Sequence, residues 1–173
     1  MQPFGIIGAS PESLRLLGSE YWRFDSTMTD WNARFLGLAE HISTWSKDPS
    51  TKCGAVIVRP DKTIASMGFN GFPRGVEDLP SVLNNRDEKY QRIIHADMNA
   101  ILFLREPAYG YHMFIHPMMP CARCASHIIQ AGITTVTAPY TDNPRWTESI
   151  QLAKDMFTEA GVEWYEVNWK SVP

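Results

Sequence analysis

The sequence predicts an α/β fold: one sheet of five strands with helices on both faces. Three observations carry this. Apolar residues at helical spacing alternate along the chain with short β-branched runs, glycines and prolines close the helical stretches, and 173 residues suit one domain.

The elements follow in order. Asp30 is a fair N-cap, and Trp31, Phe35, Leu38, Ala39 and Ile42 then repeat at helical spacing. That helix stops before Asp48-Pro49. Cys53–Arg59 and Thr63–Gly68, separated by Pro60-Asp61-Lys62, read as a hairpin. Phe69-Asn70-Gly71-Phe72-Pro73-Arg74-Gly75 is rich in turn formers and reads as a loop, and the polar stretch 80–92 holds a short helix. His95–Arg105 is helical and almost wholly apolar, which predicts burial on every face, and Pro107 marks its end. Tyr111–His116 is a strand, Cys121–Ala131 a helix closed by Gly132, and Ile133–Ala138 a strand. Thr147–Ala160 is a helix closed by Gly161, and Val162–Val167 is the last strand.

Residues 30–173 therefore form a single domain. Residues 1–29 are read as an arm. They hold Gly5, Gly8, Gly18, Pro3 and Pro11 but also Tyr21, Trp22 and Phe24, and pure linkers rarely carry that many aromatics. The arm is expected to pack on the domain or on a neighbouring subunit. Its Gly5-Ile6-Ile7-Gly8 follows no strand, so it is not read as a phosphate loop.

Composition narrows the function. Hydrophobic residues make up 44% and charged residues 20%, which excludes a disordered chain. No apolar run approaches the roughly 20 residues of a membrane span, and Met1-Gln2-Pro3-Phe4 lacks the basic start of a secretory signal, so a cytoplasmic protein is expected. Sixteen basic against nineteen acidic residues give −3, the wrong sign for an extended nucleic-acid surface. A small basic pocket for one phosphate remains compatible with that charge.

Three residues carry the chemistry: His95, Cys121 and Cys124. Pro120-Cys121-Ala122-Arg123-Cys124 opens a helix, with Pro120 suited to the first helical position. Two cysteines three apart present both sulfurs at one helix end, where free N–H groups and the dipole favour thiolates. His95 also stands at a helix start. One imidazole and two thiolates make a tetrahedral zinc set with one position open, the pattern of a catalytic site. A thioredoxin-like redox pair is the other reading of C-x-x-C alone. Cys53 reads as a small buried strand residue. His41, His112, His116 and His127 read as ordinary structural histidines, with His116 and His127 close enough in sequence to the cysteines to support the ligands.

The zinc nucleobase deaminases carry the signature H-x-E…P-C-x-x-C. Here it reads His95-Ala96-Asp97 and Pro120-Cys121-Ala122-Arg123-Cys124, matching except at the carboxylate. Two further blocks, Trp45–Val58 and Gly68–Gly75, make the chain resemble the deoxycytidylate (dCMP) deaminases from about Asp30 to Val167. The family's Glu is Asp97 here, and its usual valine is Cys53.

The resemblance implies a cytidine-deaminase-like, three-layer α/β/α sandwich with a five-stranded mixed sheet. It implies one catalytic zinc per chain on His95, Cys121 and Cys124, and hydrolytic deamination of dCMP to dUMP and ammonia. It makes Asp97 the proton shuttle to N3 of cytosine. By the same resemblance Asn70 contacts sugar and base, the backbone of Ala96 and Pro120 reads the cytosine edge, Lys52 and Arg74 hold the phosphate, and Tyr90 or Phe72 stacks on the base. A homo-oligomer, dimer to hexamer, is expected. The alternatives are a deaminase of nucleic-acid or 5-methylated cytosine, and a weakly active zinc-bearing nucleotide binder. The last rests on Asp97, which is one methylene short and would also serve as a plain helix N-terminal acid.

Overall fold

A computed structural model describes residues 31–170. The reading of residues 1–29 as a packed arm, and of Asp30 as a cap, lies outside the described residues. Five strands, β1 (Gly54–Val58), β2 (Ile64–Phe69), β3 (His112–His116), β4 (Thr135–Pro139) and β5 (Glu163–Val167), form one mixed sheet in the order β2-β1-β3-β4-β5. β1 pairs antiparallel with β2 and β3, whereas β3, β4 and β5 run parallel. The helices are α1 (Trp31–Ser43), α2 (Pro80–Leu83), α3 (Arg86–Arg92), α4 (Ala96–Phe103), α5 (Ala122–Gln130) and α6 (Thr147–Ala160). Helices occupy both faces, so the fold is the expected α/β/α sandwich.

Each face has its own core. Phe35, Leu36, Ala39 and Ile42 of α1 pack on Val56, Val58, Phe114 and Val167. On the other face Ala55, Ile57, Met113, Ile115, Val136 and Ala138 meet Ala96 and Ala100 of α4, Ala125 and Ile128 of α5, and Ala153 and Phe157 of α6. β1 is buried throughout, as its unbroken apolar run Gly-Ala-Val-Ile-Val requires of a strand covered on both sides.

Two glycines let the layers close. A Cβ on Gly54 would lie 2.1 Å from the Ala39 carbonyl of α1. One on Gly68 would lie 2.4 Å from the Ala100 nitrogen and 2.6 Å from the Ala96 oxygen of α4. Only glycine permits such backbone contact. Gly68 thereby seats the first turns of α4 directly on β2.

The register then decides where the chemistry sits. Gly54 pairs with Phe69 on one side and His116 on the other. The start of β1 and the ends of β2 and β3 thus share one end of the sheet, and the segments 48–53, 70–75 and 117–121 leave from it.

Several expectations shift. The 80–92 stretch is two short helices rather than one, broken at Asn84 and Asn85, where the Asn85 side chain caps α3 by accepting from the Glu88 N–H. α4 is not buried all round: Leu102 is 57% and Phe103 39% exposed, and only Ala96, Asp97 and Ala100 of the helix are buried. α5 begins at Ala122, so Pro120 precedes the capping residue Cys121 rather than opening the helix. No helix among the described residues is long and apolar enough to cross a membrane.

Candidate active site

Two helix N-termini meet at that end of the sheet. His95 caps α4, Cys121 caps α5, and Cys124 lies in the first turn of α5. His95 Nδ1 is 3.6 Å from Cys121 Sγ and 3.3 Å from Cys124 Sγ, and the three ligand atoms lie within 4.8 Å of one another. Zn–S bonds of about 2.3 Å and a Zn–N bond of about 2.0–2.1 Å at tetrahedral angles put S and N roughly 3.6 Å apart. The donor set therefore fits zinc in kind and in spacing.

Its protonation suits a dication. The Cys121 thiol is pulled down to about 4, first by the hydrogen bond from Cys124 and then by that from His95. Cys124 is pushed up, because it donates to the Cys121 sulfur and is buried near Asp97. The imidazole of His95 is raised mainly by its bond to Cys121, against its burial. A metal ion that takes the lone pairs of both sulfurs displaces any thiol proton.

Asp97 stands in the first turn of α4, 4% exposed. Its Oδ1 accepts the Met98 backbone N–H at 2.8 Å. Burial raises its carboxyl above the ordinary range, opposed by His95 and by a hydrogen bond with Cys124. It lines the same pocket as His95, Cys121, Ala96 and Pro120. A buried carboxyl with a raised pKa is suited to carrying a proton at neutral pH.

The far wall of the pocket is polar. Asn70 lines it, but its amide holds the loops together: Oδ1 accepts from the Cys53 N–H at 2.7 Å, and Nδ2 donates to the Thr51 carbonyl at 2.9 Å and to Asp48 Oδ2 at 3.3 Å. Lys89 Nζ, almost fully buried, donates to Asp48 Oδ1 and to Ser50 Oγ, each at 2.8 Å. Sequence reasoning missed Lys89 and Asp48. The available signal was weak: Lys89 is one of several charged residues in a short polar helix, where a solvated lysine is the ordinary reading.

Other expected residues fall elsewhere. Lys52 is exposed and lines no cavity described, and Arg74 is exposed with its guanidinium 4.9 Å from the Phe103 ring centroid. Tyr90 lines the pocket and Phe72 does not. Cys53 is not inside β1 but just before it, on the pocket wall, its thiol pushed up to about 12 by burial and then by Asp97 and Asp48. His116 faces α1, on the other side of the sheet, with Nε2 3.9 Å from Glu40. Its Nδ1 is buried with no partner. His127 Nδ1 bonds the Arg123 carbonyl at 2.7 Å. Neither histidine lines the catalytic pocket.

Comparison with known proteins agrees with this geometry. Residues 29–139 match the family described as the cytidine and deoxycytidylate deaminase zinc-binding region. The "uncharacterized deaminase in luxG 3'region" of Aliivibrio fischeri is 43% identical over 145 residues, 82% of this chain and 95% of that one. The deoxycytidylate deaminase of Mus musculus is 36% identical over 77% of each chain. The crystal structure of dCMP deaminase from the cyanophage S-TIM5 in complex with dCMP and dUMP matches with a TM-score of 0.62 and 26% identity, covering 78% of this chain and 94% of that one. The chain belongs to the cytidine and deoxycytidylate deaminase family.

Proposed function

We propose that the protein is a zinc-dependent deaminase that hydrolyses dCMP to dUMP and ammonia. The observation that carries this reading is the meeting of His95, Cys121, Cys124 and the buried carboxyl of Asp97 in one pocket at two helix N-termini. Deoxycytidylate deaminases among the relatives support the substrate, as does the phage enzyme crystallised with dCMP and dUMP.

His95, Cys121 and Cys124 hold the metal. Zinc, when bound, supplies Lewis acidity that brings the pKa of water toward 7. The backbone of Ala96 and Pro120 orients the cytosine edge. Asp97 accepts a proton from the attacking water and delivers it to N3. The water oxygen bonds to C4 as a hydroxyl; Asp97 then takes the proton of that hydroxyl and gives it to the amino nitrogen, the C4–N4 bond breaks, and the products are ammonia and uracil. Burial raises the carboxyl of Asp97, which suits it to taking up and giving away each proton in turn. Lys89, Asp48 and Asn70 fix the wall against which the sugar lies.

The reading includes a cytoplasmic homo-oligomer. Exposed Trp45 and Phe69, edge to face with centroids 6.1 Å apart, support association by leaving apolar surface to cover.

Asp97 favours a second reading, a nucleotide binder of low activity. Its oxygen already accepts the Met98 N–H, as a plain helix N-terminal acid does. Ammonia release from dCMP, CMP, dCTP, deoxycytidine and 5-methyl-dCMP separates the two. Turnover with a preference for dCMP supports the first, and binding without turnover supports the second.

A further inference from the structure

One face of β2 is apolar and exposed. β2 stands at the edge of the described sheet, beside β1. Its Ser66 and Gly68 are buried under α4, where Ser66 Oγ donates to the Ala100 carbonyl at 2.7 Å. Phe69, Met67 and Ile64 stand opposite Gly54, Val56 and Val58, and the bulge between Ile57 and Val58 keeps Ile64 in the row. Directly opposed residues share a face of the sheet, so these three lie on the α1 side with Val56 and Val58. α1 packs on Val56, Val58 and Phe114 and leaves Ile64, Met67 and Phe69 exposed.

The two ends of α1 extend that row. Just past its C-terminus Trp45 meets Phe69, and at its N-terminus the Trp31 ring centroid lies 5.2 Å from Lys62 Nζ, in the turn that leads into β2. Both tryptophans are exposed. Trp31, Ile64, Met67, Phe69 and Trp45 thus form one strip beside α1, roughly 20 Å long at the rise of a six-residue strand. An apolar strip along an edge strand calls for a cover. Its far end also backs the catalytic pocket. Trp45 precedes Ser46, whose Oγ donates to the Asn70 carbonyl at 2.8 Å, and Phe69 precedes Asn70, which bonds Asp48 on the pocket wall.

The chain carries a segment of the right kind and reach. Residues 1–30 enter α1 at Trp31, one end of the strip, and the family match begins only at residue 29. An extended chain advances about 3.3 Å per residue. Counted back from Trp31, Met28 reaches about 10 Å along the strip and Phe24 about 23 Å, its full length. Tyr21 and Trp22 follow just beyond. We propose that residues 21–28 lie along the α1 side of β2, antiparallel to it, with Met28 over Ile64 and Phe24 over Phe69 and Trp45. The arm then braces the back of the pocket wall from outside. In a homo-oligomer a second copy meets the arm there, and not the bare rings of Trp45 and Phe69.

Hydroxyl-radical footprinting of the full chain, read by mass spectrometry and normalised to each side chain's intrinsic reactivity, tests this. In the wild-type protein Trp45, Met67 and Phe69 should be labelled several times less than Leu102, Tyr109 and Leu152, which are exposed elsewhere. That protection should persist on dilution. The Trp22→Ser/Phe24→Ser variant should restore labelling at Trp45, Met67 and Phe69 and leave the three controls unchanged. As a second measurement, Phe24→Ala should lower the urea midpoint of the wild-type protein but not that of Phe69→Ala. Full labelling of the strip in the wild-type protein overturns the proposal, as do equal Phe24→Ala losses in both backgrounds. Protection that ignores the arm substitutions and fades on dilution also overturns it, and assigns the strip to a second copy.

Discussion

Lys89 and Asp48 meet at 2.8 Å on the wall of the catalytic pocket, both nearly sealed from solvent. The pair joins α3 to the segment that enters β1, and through Asp48 it reaches Asn70 at the end of β2. One ion pair thus ties three segments around the place where the sugar of a nucleotide would lie. Removing one partner strands a buried charge. Lys89→Met should therefore destabilise the protein by about 3–5 kcal/mol in urea unfolding, and Asp48→Leu comparably. The double variant should lose much less than the sum of the two. Additive losses would show that the charges do not depend on each other.

Zinc should be present at about one ion per chain, held by two sulfurs and one nitrogen, and measurable by elemental analysis and X-ray absorption. Cys121→Ala and Cys124→Ala should each abolish stoichiometric binding. Chelation should lower the melting temperature, because the metal binds only the folded donor set. A Cys121–Cys124 disulfide in the purified protein would contradict the assignment.

Asp97→Asn should retain zinc and lose about 10²–10⁴-fold in kcat, the range for removing a general acid–base. Asp97→Glu tests the geometry. Gly68 holds the backbone of Ala96 and Ala100 against β2, so α4 has little room to carry a short side chain forward. The longer carboxylate should then speed the reaction, by up to about tenfold to a hundredfold on the scale of a 1 Å correction. A slower Asp97→Glu enzyme would mean that the pocket has adapted to aspartate.

His112 gives a pH dependence separate from the site. It lies on the α1 side of β3, stacked on Phe114 with its Nε2 2.8 Å from Thr137 Oγ1, and burial lowers its pKa from 6.5 to about 4. Between those values the unfolded chain binds a proton that the folded chain does not. Stability should fall as pH drops through this window, by about 3 kcal/mol at most, and level off below it. His112→Gln should flatten that part of the stability–pH curve, as urea midpoints from pH 7 to pH 4 would show.

Much of this was legible in the sequence because local chemistry dictates it. All five strands and the helix Thr147–Ala160 follow from apolar runs and closing glycines, and Gly161 ends that helix with φ 72°. The grouping of His95, Cys121 and Cys124 follows from donor type and spacing. The pocket wall was not legible, because Lys89 and Asp48 lie 41 residues apart and are joined only by tertiary packing. Asn70 drew notice as a ligand contact, but its bonds to Cys53, Thr51 and Asp48 are internal. Lys52 and Arg74 stood out by proximity to matching blocks, which says nothing of the direction a surface side chain takes. The exposed end of α4 was misjudged because residue type, not direction, was read: Leu102 and Phe103 are apolar and turn away from the sheet.

The most direct test of the account is ammonia release from dCMP by the zinc-loaded protein, with dUMP quantified in the same reaction. The account predicts ammonia and dUMP in equal amounts, activity lost on chelation and restored by zinc, and a higher kcat/KM for dCMP than for deoxycytidine. A protein that carries one zinc per chain and leaves dCMP unchanged would contradict it.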